Sequence, residues 1–339
     1  MNQVQEQQLI GESQSILEVL EHVSRIAPLN RPVLVIGERG TGKELIAARI
    51  HYLSMRWDRP FVKLNCAALT ESLLESELFG HEAGSFTGAM RRRLGRFELA
   101  HQGSLLLDEL SNTSDRVQEK VLRVIEYGEL ERVGGNETIQ TNVRIIGATN
   151  EDLPALVDQG KFRADLLDRL AFDVITLPPL RQRRDDIIPM AEHFAVKMSG
   201  ELGLELFSGF SAEAREQLLD HAWPGNVREL KNVVERAVYS LGGNNEPICD
   251  IIFDPFHSPW RPRAQTSETR QESTLDLPDA PYDFKEHMQE LEIELLRSAL
   301  KQCRYNQKKT AEFLGMTYHQ LRGYLRKYEL TDSDEAADG

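Results

Sequence analysis

Cysteine is nearly absent from this 339-residue sequence: Cys66, Cys249 and Cys303 stand alone and far apart. Three scattered thiols make neither a disulfide framework nor a zinc site, which excludes a small stapled secreted fold. No run of about 18 apolar residues occurs, so no segment is expected to cross a bilayer as a helix. The first eight residues are polar and rich in glutamine, without the basic start and apolar stretch of a secretory signal. These absences together make the expected location cytoplasmic, with no membrane insertion. An excess of positive charge is missing too, since 40 Lys and Arg face 54 Asp and Glu for a net charge of −14. Phosphate repels such a chain at long range, so any contact with nucleic acid has to be local.

What remains is the composition of a folded globular protein, 40% hydrophobic and 28% charged, long enough for a large body with a smaller appendage. Prolines at 255, 259, 262, 278 and 281, separated by Ser, Thr, Gln and Glu, mark a linker. The expected divisions are a polar N-terminus over 1–8, an α/β body over 9–180, a helical subdomain over 181–250, a linker over 251–282, a small helical module over 283–330 and an acidic tail over 331–339. No internal repeat is evident.

In the body the apolar runs Val33 to Ile36, Phe61 to Leu64, Leu105 to Leu107, Val143 to Ile146 and Val174 to Leu177 alternate with helical stretches. Runs without strict polar alternation suit strands covered on both faces, hence an α/β fold with a parallel sheet. After Pro178-Pro179 helical periodicity takes over, with Ile188, Ala191, Phe194, Ala195 and Met198 on one stripe and Leu230, Val233, Val234, Ala237 and Leu241 on another.

Directly after the first apolar run stands Gly37-Glu38-Arg39-Gly40-Thr41-Gly42-Lys43-Glu44, followed by a helical stretch. The glycines let backbone N–H groups turn inward around phosphate, the helix start adds partial positive charge, and Lys43 reaches the β and γ phosphates. ATP is the expected ligand. Glu44 stands where a Ser or Thr hydroxyl normally meets Mg2+, so the metal has to rest on other groups. Asp108, at the end of the third run, is the candidate ligand, with Glu109 beside it to polarise an attacking water. Asn65 ends the second run within reach of Glu109, and Thr149-Asn150 follow the fourth, where they can sense the γ-phosphate. Arg163 and Arg169 are candidate arginine fingers, although taken alone each reads first as a surface ion pair.

The most specific segment is Glu77-Leu78-Phe79-Gly80-His81-Glu82-Ala83-Gly84-Ser85-Phe86-Thr87-Gly88-Ala89. It resembles the GAFTGA loop of the sigma-54-dependent bacterial enhancer-binding proteins, a clade of AAA+ ATPases. Gly37 to Glu44, Leu106 to Leu110 and Trp223 to Leu230 resemble that family as well, and the likeness covers roughly Leu9 to Ile248 and the C-terminal module. It implies an AAA+ P-loop parallel sheet with a C-terminal helical lid and an all-α Fis-like helix-turn-helix domain.

Carried over residue by residue, the resemblance makes Lys43, Asp108 and Glu109 the Walker residues and Asn65 a switch coupling Glu109 to the loop. It implies sensor roles for Thr149, Asn150 and Arg228, and makes Glu44 usual. Arg163 and Arg169 would act on a neighbour's ATP in a homo-oligomeric ring, expected as a hexamer. Gly84, Ser85, Phe86, Thr87, Gly88 and Ala89 would contact the sigma factor; Ser85 stands where alanine is usual, for which modified strength is expected. Most of the family carry an N-terminal receiver or sensory domain, for which the residues before Gly37 leave no room. That short N-terminus implies a stress-response branch held in check by a separate inhibitor protein, with Trp57 at the contact.

From Cys303 to Tyr328 the charge reverses, with Arg304, Lys308, Lys309, Arg322, Arg326 and Lys327 against Glu312 alone. Asp283-x-x-Glu286 has the pattern of a capping box, and Phe284, Met288, Leu291, Leu295 and Ala299 follow at helical spacing. Lys308 to Leu314, a turn at Gly315-Met316-Thr317, and Tyr318 to Tyr328 then predict a helix-turn-helix. Leu321, Leu325 and Tyr328 should face inward, leaving His319, Arg322 and Arg326 for bases or phosphates and Lys308, Lys309 and Arg304 for the DNA backbone. The function implied is a transcription activator that binds enhancer DNA and spends ATP hydrolysis on remodelling the closed complex of sigma-54 RNA polymerase. Another AAA+ class, such as a protein unfoldase or helicase loader, would not call for Gly84 to Ala89, and a repressor with a vestigial nucleotide site would not keep the complete set Lys43, Asp108, Glu109, Asn65 and Arg163.

Overall fold

The computed structural model describes residues 9–86, 89–204, 207–242, 246–256, 284–303, 305–328 and 330. The N-terminal eight residues, Thr87, Gly88, most of the expected linker with Asp283, Arg304 and the acidic tail lie outside the described residues. The chain divides into two units, Met1–His257 and Ser258–Gly339.

In the first unit α1 (Gln14–Ile26) leads to β1 (Val33–Ile36), α2 (Lys43–Tyr52) and β2 (Phe61–Asn65). Next come α3 (Glu71–Phe79), the short strands β3 (Gly80–His81) and β4 (Arg93–Leu94), the single turn α4 (Arg96–Leu99) and β5 (Ser104–Asp108). Then α5 (Asp115–Tyr127), a hairpin of β6 (Glu129–Glu131) and β7 (Thr138–Gln140), and β8 (Arg144–Thr149) precede α6 (Leu153–Asp158), α7 (Ala164–Leu170) and β9 (Val174–Thr176).

A parallel sheet runs in the order β2-β5-β8-β1-β9. Leu105, Leu106, Leu107 and every residue of β8 are buried. Such runs can dispense with a polar side because neither face meets water. One face packs on α3, α5 and α7 through Leu78, Val117, Val121 and Leu166, and the other on α1 and α2 through Ile16, Val23, Ile46 and Ile50. Parallel register then decides the chemistry: Ile36 pairs with Thr149, and Asn65 with Asp108. The phosphate loop, Asn65, Asp108-Glu109 and Thr149-Asn150 therefore all leave the sheet at its carboxyl edge, where ligands of open α/β sheets bind.

Behind the sheet, α8 (Ile187–Glu201), α9 (Ala212–Asp220) and α10 (Asn226–Ser240) pack around Trp223, which is fully buried and donates its indole N–H to the Leu218 carbonyl at 2.9 Å. The core side of α8 is Ile187, Met190, Ala191 and Ala195; Ala191 and Ala195 of the expected stripe are buried, while Ile188, Phe194 and Met198 pack against that core only partly covered. Among the described residues no helix is long and apolar enough to cross a membrane.

The second unit is α11 (Phe284–Gln302), α12 (Gln307–Phe313) and α13 (Tyr318–Lys327). Gly315 turns the chain at φ 68°, and Thr317 caps α13 in a reciprocal capping box with Gln320. Leu321 and Leu325 enter the core as expected, with Tyr328 packed against it. On α11 the inward residues are Leu296, Ala299 and Leu300, while Leu295 is 64% exposed. The helix turns its Leu296 side to α12 and α13, because i and i+4 leucines there meet Ala311 and Leu325.

Candidate functional site

Two glycines shape the phosphate loop. Gly42 precedes α2 at φ 101° and Gly40 stands at φ 79°, both in the left-handed region that favours glycine. A Cβ on Gly40 would lie 2.3 Å from the Gly225 carbonyl oxygen, so only glycine lets the loop approach the lid this closely. Lys43, the first residue of α2, is buried and donates to the carbonyls of Gly37 at 2.8 Å and Glu38 at 3.3 Å. Burial lowers its pKa, while Glu109 and Asp108 favour its charged form. Glu44 instead forms an ion pair with Lys63 of β2 at 2.8 Å.

The acidic pair departs from expectation in its partners. Asn65 donates to Asp108 at 3.2 Å, not to Glu109, while its own oxygen accepts from Ala67 N–H at 2.9 Å. Register is the reason: Asn65 and Asp108 are paired neighbours on β2 and β5, and Glu109 lies one residue further on. The side chain that meets Glu109 is Asn150; with its amide nitrogen turned to the carboxylate, it lies 2.5 and 3.2 Å from the two oxygens. Glu109 itself sits at φ 52°. Left-handed backbone costs a non-glycine residue about 1–2 kcal/mol, and such strain concentrates at functional sites. Thr149 donates to Ser111 at 3.2 Å and accepts from Glu151 N–H at 3.0 Å. Beneath the pair, burial and the Asp108 and Glu109 charges push the Cys66 thiol up to about 12, which leaves it inert.

The lid grips this loop through residues that carried no role in the sequence reading. Asn226 is fully buried, at φ 52°. Its oxygen accepts from Leu180 N–H at 2.8 Å, and its nitrogen donates to Glu38 at 3.1 Å and to the Arg39 carbonyl at 3.0 Å. Arg181 adds a forked pair to Glu38 at 2.6 and 2.8 Å; Arg181 and then Asn226 hold that carboxyl down to about 2. Val227 N–H donates to the Gly40 carbonyl at 3.0 Å. Arg183 reaches the Thr41 carbonyl at 3.1 Å, and buried Asp186 accepts from Glu12 N–H, Ser13 N–H and the Ser13 hydroxyl at 2.6, 2.8 and 2.7 Å. Arg228 is exposed beside Gly40, where its charge lowers the Lys43 pKa.

The segment carrying Phe86 is docked on the β6–β7 hairpin. Glu82 N–H donates to the Val133 carbonyl at 3.1 Å, and Val133 N–H to the Gly80 carbonyl at 2.9 Å. Arg132 is buried among Glu82 and Glu98, a forked arrangement that ties hairpin, loop base and α4 together. Gly84 N–H donates to the Ala89 carbonyl at 2.8 Å, joining the two ends of the segment 84–89. Phe86 is 42% exposed and meets His81 edge to face at 5.0 Å. Ser85 packs on Gly134, its hydroxyl buried with no hydrogen-bond partner among the described residues.

Arg163 pairs with Asp165 at 2.7 Å and Arg169 with Glu126 at 2.7 Å, so both candidate fingers are held by carboxylates of their own chain. Trp57 is 64% exposed in a turn with exposed Tyr52, Leu53 and Met55. Arg56 anchors that turn to the Gly103 carbonyl at 2.7 Å and to the Asn142 side chain at 2.6 Å. In the second unit Lys308, Lys309, His319, Arg322 and Arg326 are all exposed.

A parallel sheet whose phosphate loop is gripped by a helical lid from the same chain is the architecture of the AAA+ class, here joined to a helix-turn-helix module. Comparison with known proteins narrows it. Residues 9–176 match the Sigma-54 interaction domain, 181–248 the AAA+ ATPase lid domain, and 288–328 the bacterial regulatory protein, Fis family. The Psp operon transcriptional activator of Escherichia coli (strain K12) is 60% identical over 95% of this chain and 98% of its own length. The Nif-specific regulatory protein of Azotobacter vinelandii is 44% identical over 93% of the chain, which spans only 58% of that protein. The crystal structure of NtrX from Brucella abortus in complex with ATP superposes with a TM-score of 0.68 at 33% identity, covering 95% of this chain and 70% of that one. The chain belongs to the sigma-54-dependent transcription activators and carries a Fis-family DNA-binding domain.

Proposed function

We propose that this activator hydrolyses ATP and spends the energy on remodelling the closed promoter complex of sigma-54 RNA polymerase, serving a phage-shock operon. The observation that carries this reading is the convergence of Lys43, Asp108, Glu109 and Asn150 at one sheet edge, in a chain that also presents Phe86 on a docked loop. Lys43 and the loop N–H groups bind the phosphates, and Asn150 orients the Glu109 carboxylate, which accepts a proton from the attacking water. The donor chemistry of Asp108 fits Mg2+, which would neutralise charge on the transferring phosphoryl group. Thr149 and Asn150 sense the γ-phosphate and Asn65 relays its loss through Asp108, while Arg228 reads the nucleotide from the lid.

Arg163 and Arg169 stabilise the reaction in a neighbouring subunit of a homo-oligomeric ring, exchanging their own-chain carboxylates for its nucleotide. Gly84 to Ala89 contact the sigma factor, with Phe86 and Thr87 the pair that touches it. The rigid turn bearing Trp57 is the docking point for a negative regulator resembling phage shock protein A, since a large exposed aromatic on an anchored turn suits an interface hot spot. The exposed cations of α12 and α13 bind enhancer DNA, tethered to the catalytic body through the expected linker 251–282, although its first residues Ile251 and Phe253 pack with the lid core. Transcription from a sigma-54 promoter with hydrolysable and non-hydrolysable ATP tests this: activation in both, or in neither, refutes it.

A further inference from the structure

Gln118 lies on α5, is 1% exposed, and engages both donors and the oxygen of its amide. Its nitrogen donates to the Thr113 carbonyl at 2.8 Å and to the Lys161 carbonyl at 3.2 Å; its oxygen accepts from Arg163 N–H at 2.8 Å. Packing alone does not call for this side chain. Val117 and Val121 of the same helix, and Phe162 and Leu166 beside its partners Lys161 and Arg163, belong to the apolar core, and leucine or methionine would match the volume of the glutamine. Only a side-chain amide offers two donors and one acceptor here, because a glutamate would face two carbonyl oxygens with a carboxylate.

The two things that it joins are chemically distinct. Thr113 ends the turn that begins at Asp108 and Glu109, where Asn112 N–H returns to the Glu109 carbonyl at 3.0 Å and Thr113 N–H to the Leu110 carbonyl at 3.2 Å. Ser111 of the same turn meets Thr149 at 3.2 Å, so two sides of the nucleotide edge bear on it. Lys161 and Arg163 flank buried Phe162 just before α7, and Arg163 is the residue before its first turn, its side chain held out by Asp165.

We propose that Gln118 is a positioning residue that couples the two halves of a shared active site. It fixes the backbone from which Arg163 projects to the turn that follows this subunit's own Asp108-Glu109. A change at Glu109 or Thr149 on loss of the γ-phosphate moves the turn, and Gln118 passes that movement to the arginine serving the next subunit. The inference rests on the reading of Arg163 as a residue that acts in trans. Spatial continuity alone does not establish coupling, so the test has to read coupling itself.

Gln118→Met keeps the volume and removes all three bonds. Alone, it should bind a fluorescent ADP analogue within about twofold of wild type, yet hydrolyse ATP about tenfold more slowly. Co-assembled with Lys43→Ala, which lacks a working P-loop but keeps Gln118 and Arg163, its rate per intact P-loop should rise severalfold. A role in packing alone would not respond to a neighbour. Arg163→Ala with Lys43→Ala is the control. Rescue of Arg163→Ala but not of Gln118→Met overturns the inference and leaves the trans arginine standing; rescue of neither removes the trans reading and the inference with it. Hydrolysis by Gln118→Met at the wild-type rate also overturns it. In the unmodified protein, amide exchange over residues 161–164 should differ between ADP and a non-hydrolysable ATP analogue, and identical exchange contradicts the coupling whatever the variants do.

Discussion

Asn226→Ala is expected to loosen the grip of the lid on the phosphate loop without touching the sheet. The substitution removes three hydrogen bonds at a fully buried site and puts alanine at φ 52°. The largest loss is the orphaned Leu180 N–H, since an unpaired buried donor costs about 1–3 kcal/mol. The left-handed backbone adds about 1 kcal/mol, because asparagine tolerates that region better than alanine. The bonds to Glu38 and the Arg39 carbonyl face solvent on one side and add little. The total of about 2–4 kcal/mol falls on lid docking, and because tenfold in affinity is about 1.4 kcal/mol, nucleotide binding should weaken about tenfold or more. Asn226→Asp keeps the acceptor for Leu180 but turns a carboxylate on ionised Glu38, and should be no better. Titration with a fluorescent nucleotide, alongside a thermal melt, measures both. Wild-type affinity in both variants would refute the claim that the lid holds the loop in its binding shape.

Glu109→Gln should bind nucleotide within about threefold of wild type and lose hydrolysis on the order of a hundredfold, measured as phosphate release. Arg322→Ala and Arg326→Ala should each weaken enhancer binding by about 1–3 kcal/mol in a mobility-shift titration if they read bases, with ATPase unchanged. Burial first, then the Arg144 and Arg56 charges, lowers the His51 pKa from 6.5. The unfolded chain therefore binds the proton more readily, and stability should fall as pH drops below about 6.5; His51→Gln should flatten that dependence in denaturant melts between about pH 7 and 5.

What could be read from the residues followed burial and local backbone need. Leu105 to Leu107 announce a strand because both its faces are covered, and Gly40 and Gly42 announce the phosphate loop because left-handed backbone favours glycine. Partnerships set by register stayed hidden. Asn65 seemed poised for Glu109, but pairing of β2 with β5 delivers it to Asp108, and Asn150 takes its place. Asn226 stood inside a segment already singled out, yet its grip on Glu38 spans 188 positions and leaves no periodic signal. Arg132 is buried only because the fold closes Glu82 and Glu98 around it, a partnership that no local pattern marks. Strands β3 and β4 are two residues each, too short to show alternation. On α11 the apolar residues serve two adjacent stripes, and only the packed partners show that Leu296 and Leu300 are the inward pair.

In the proposed mechanism, hydrolysis at the sheet edge is delivered to the sigma factor by the loop from Gly84 to Ala89. Open-complex formation on a sigma-54 promoter, followed with ATP hydrolysis on the same samples of wild type and Thr87→Ala, tests it most directly. Thr87→Ala should hydrolyse ATP within about threefold of wild type while open complexes disappear. Open complexes formed at the wild-type level by Thr87→Ala would contradict it.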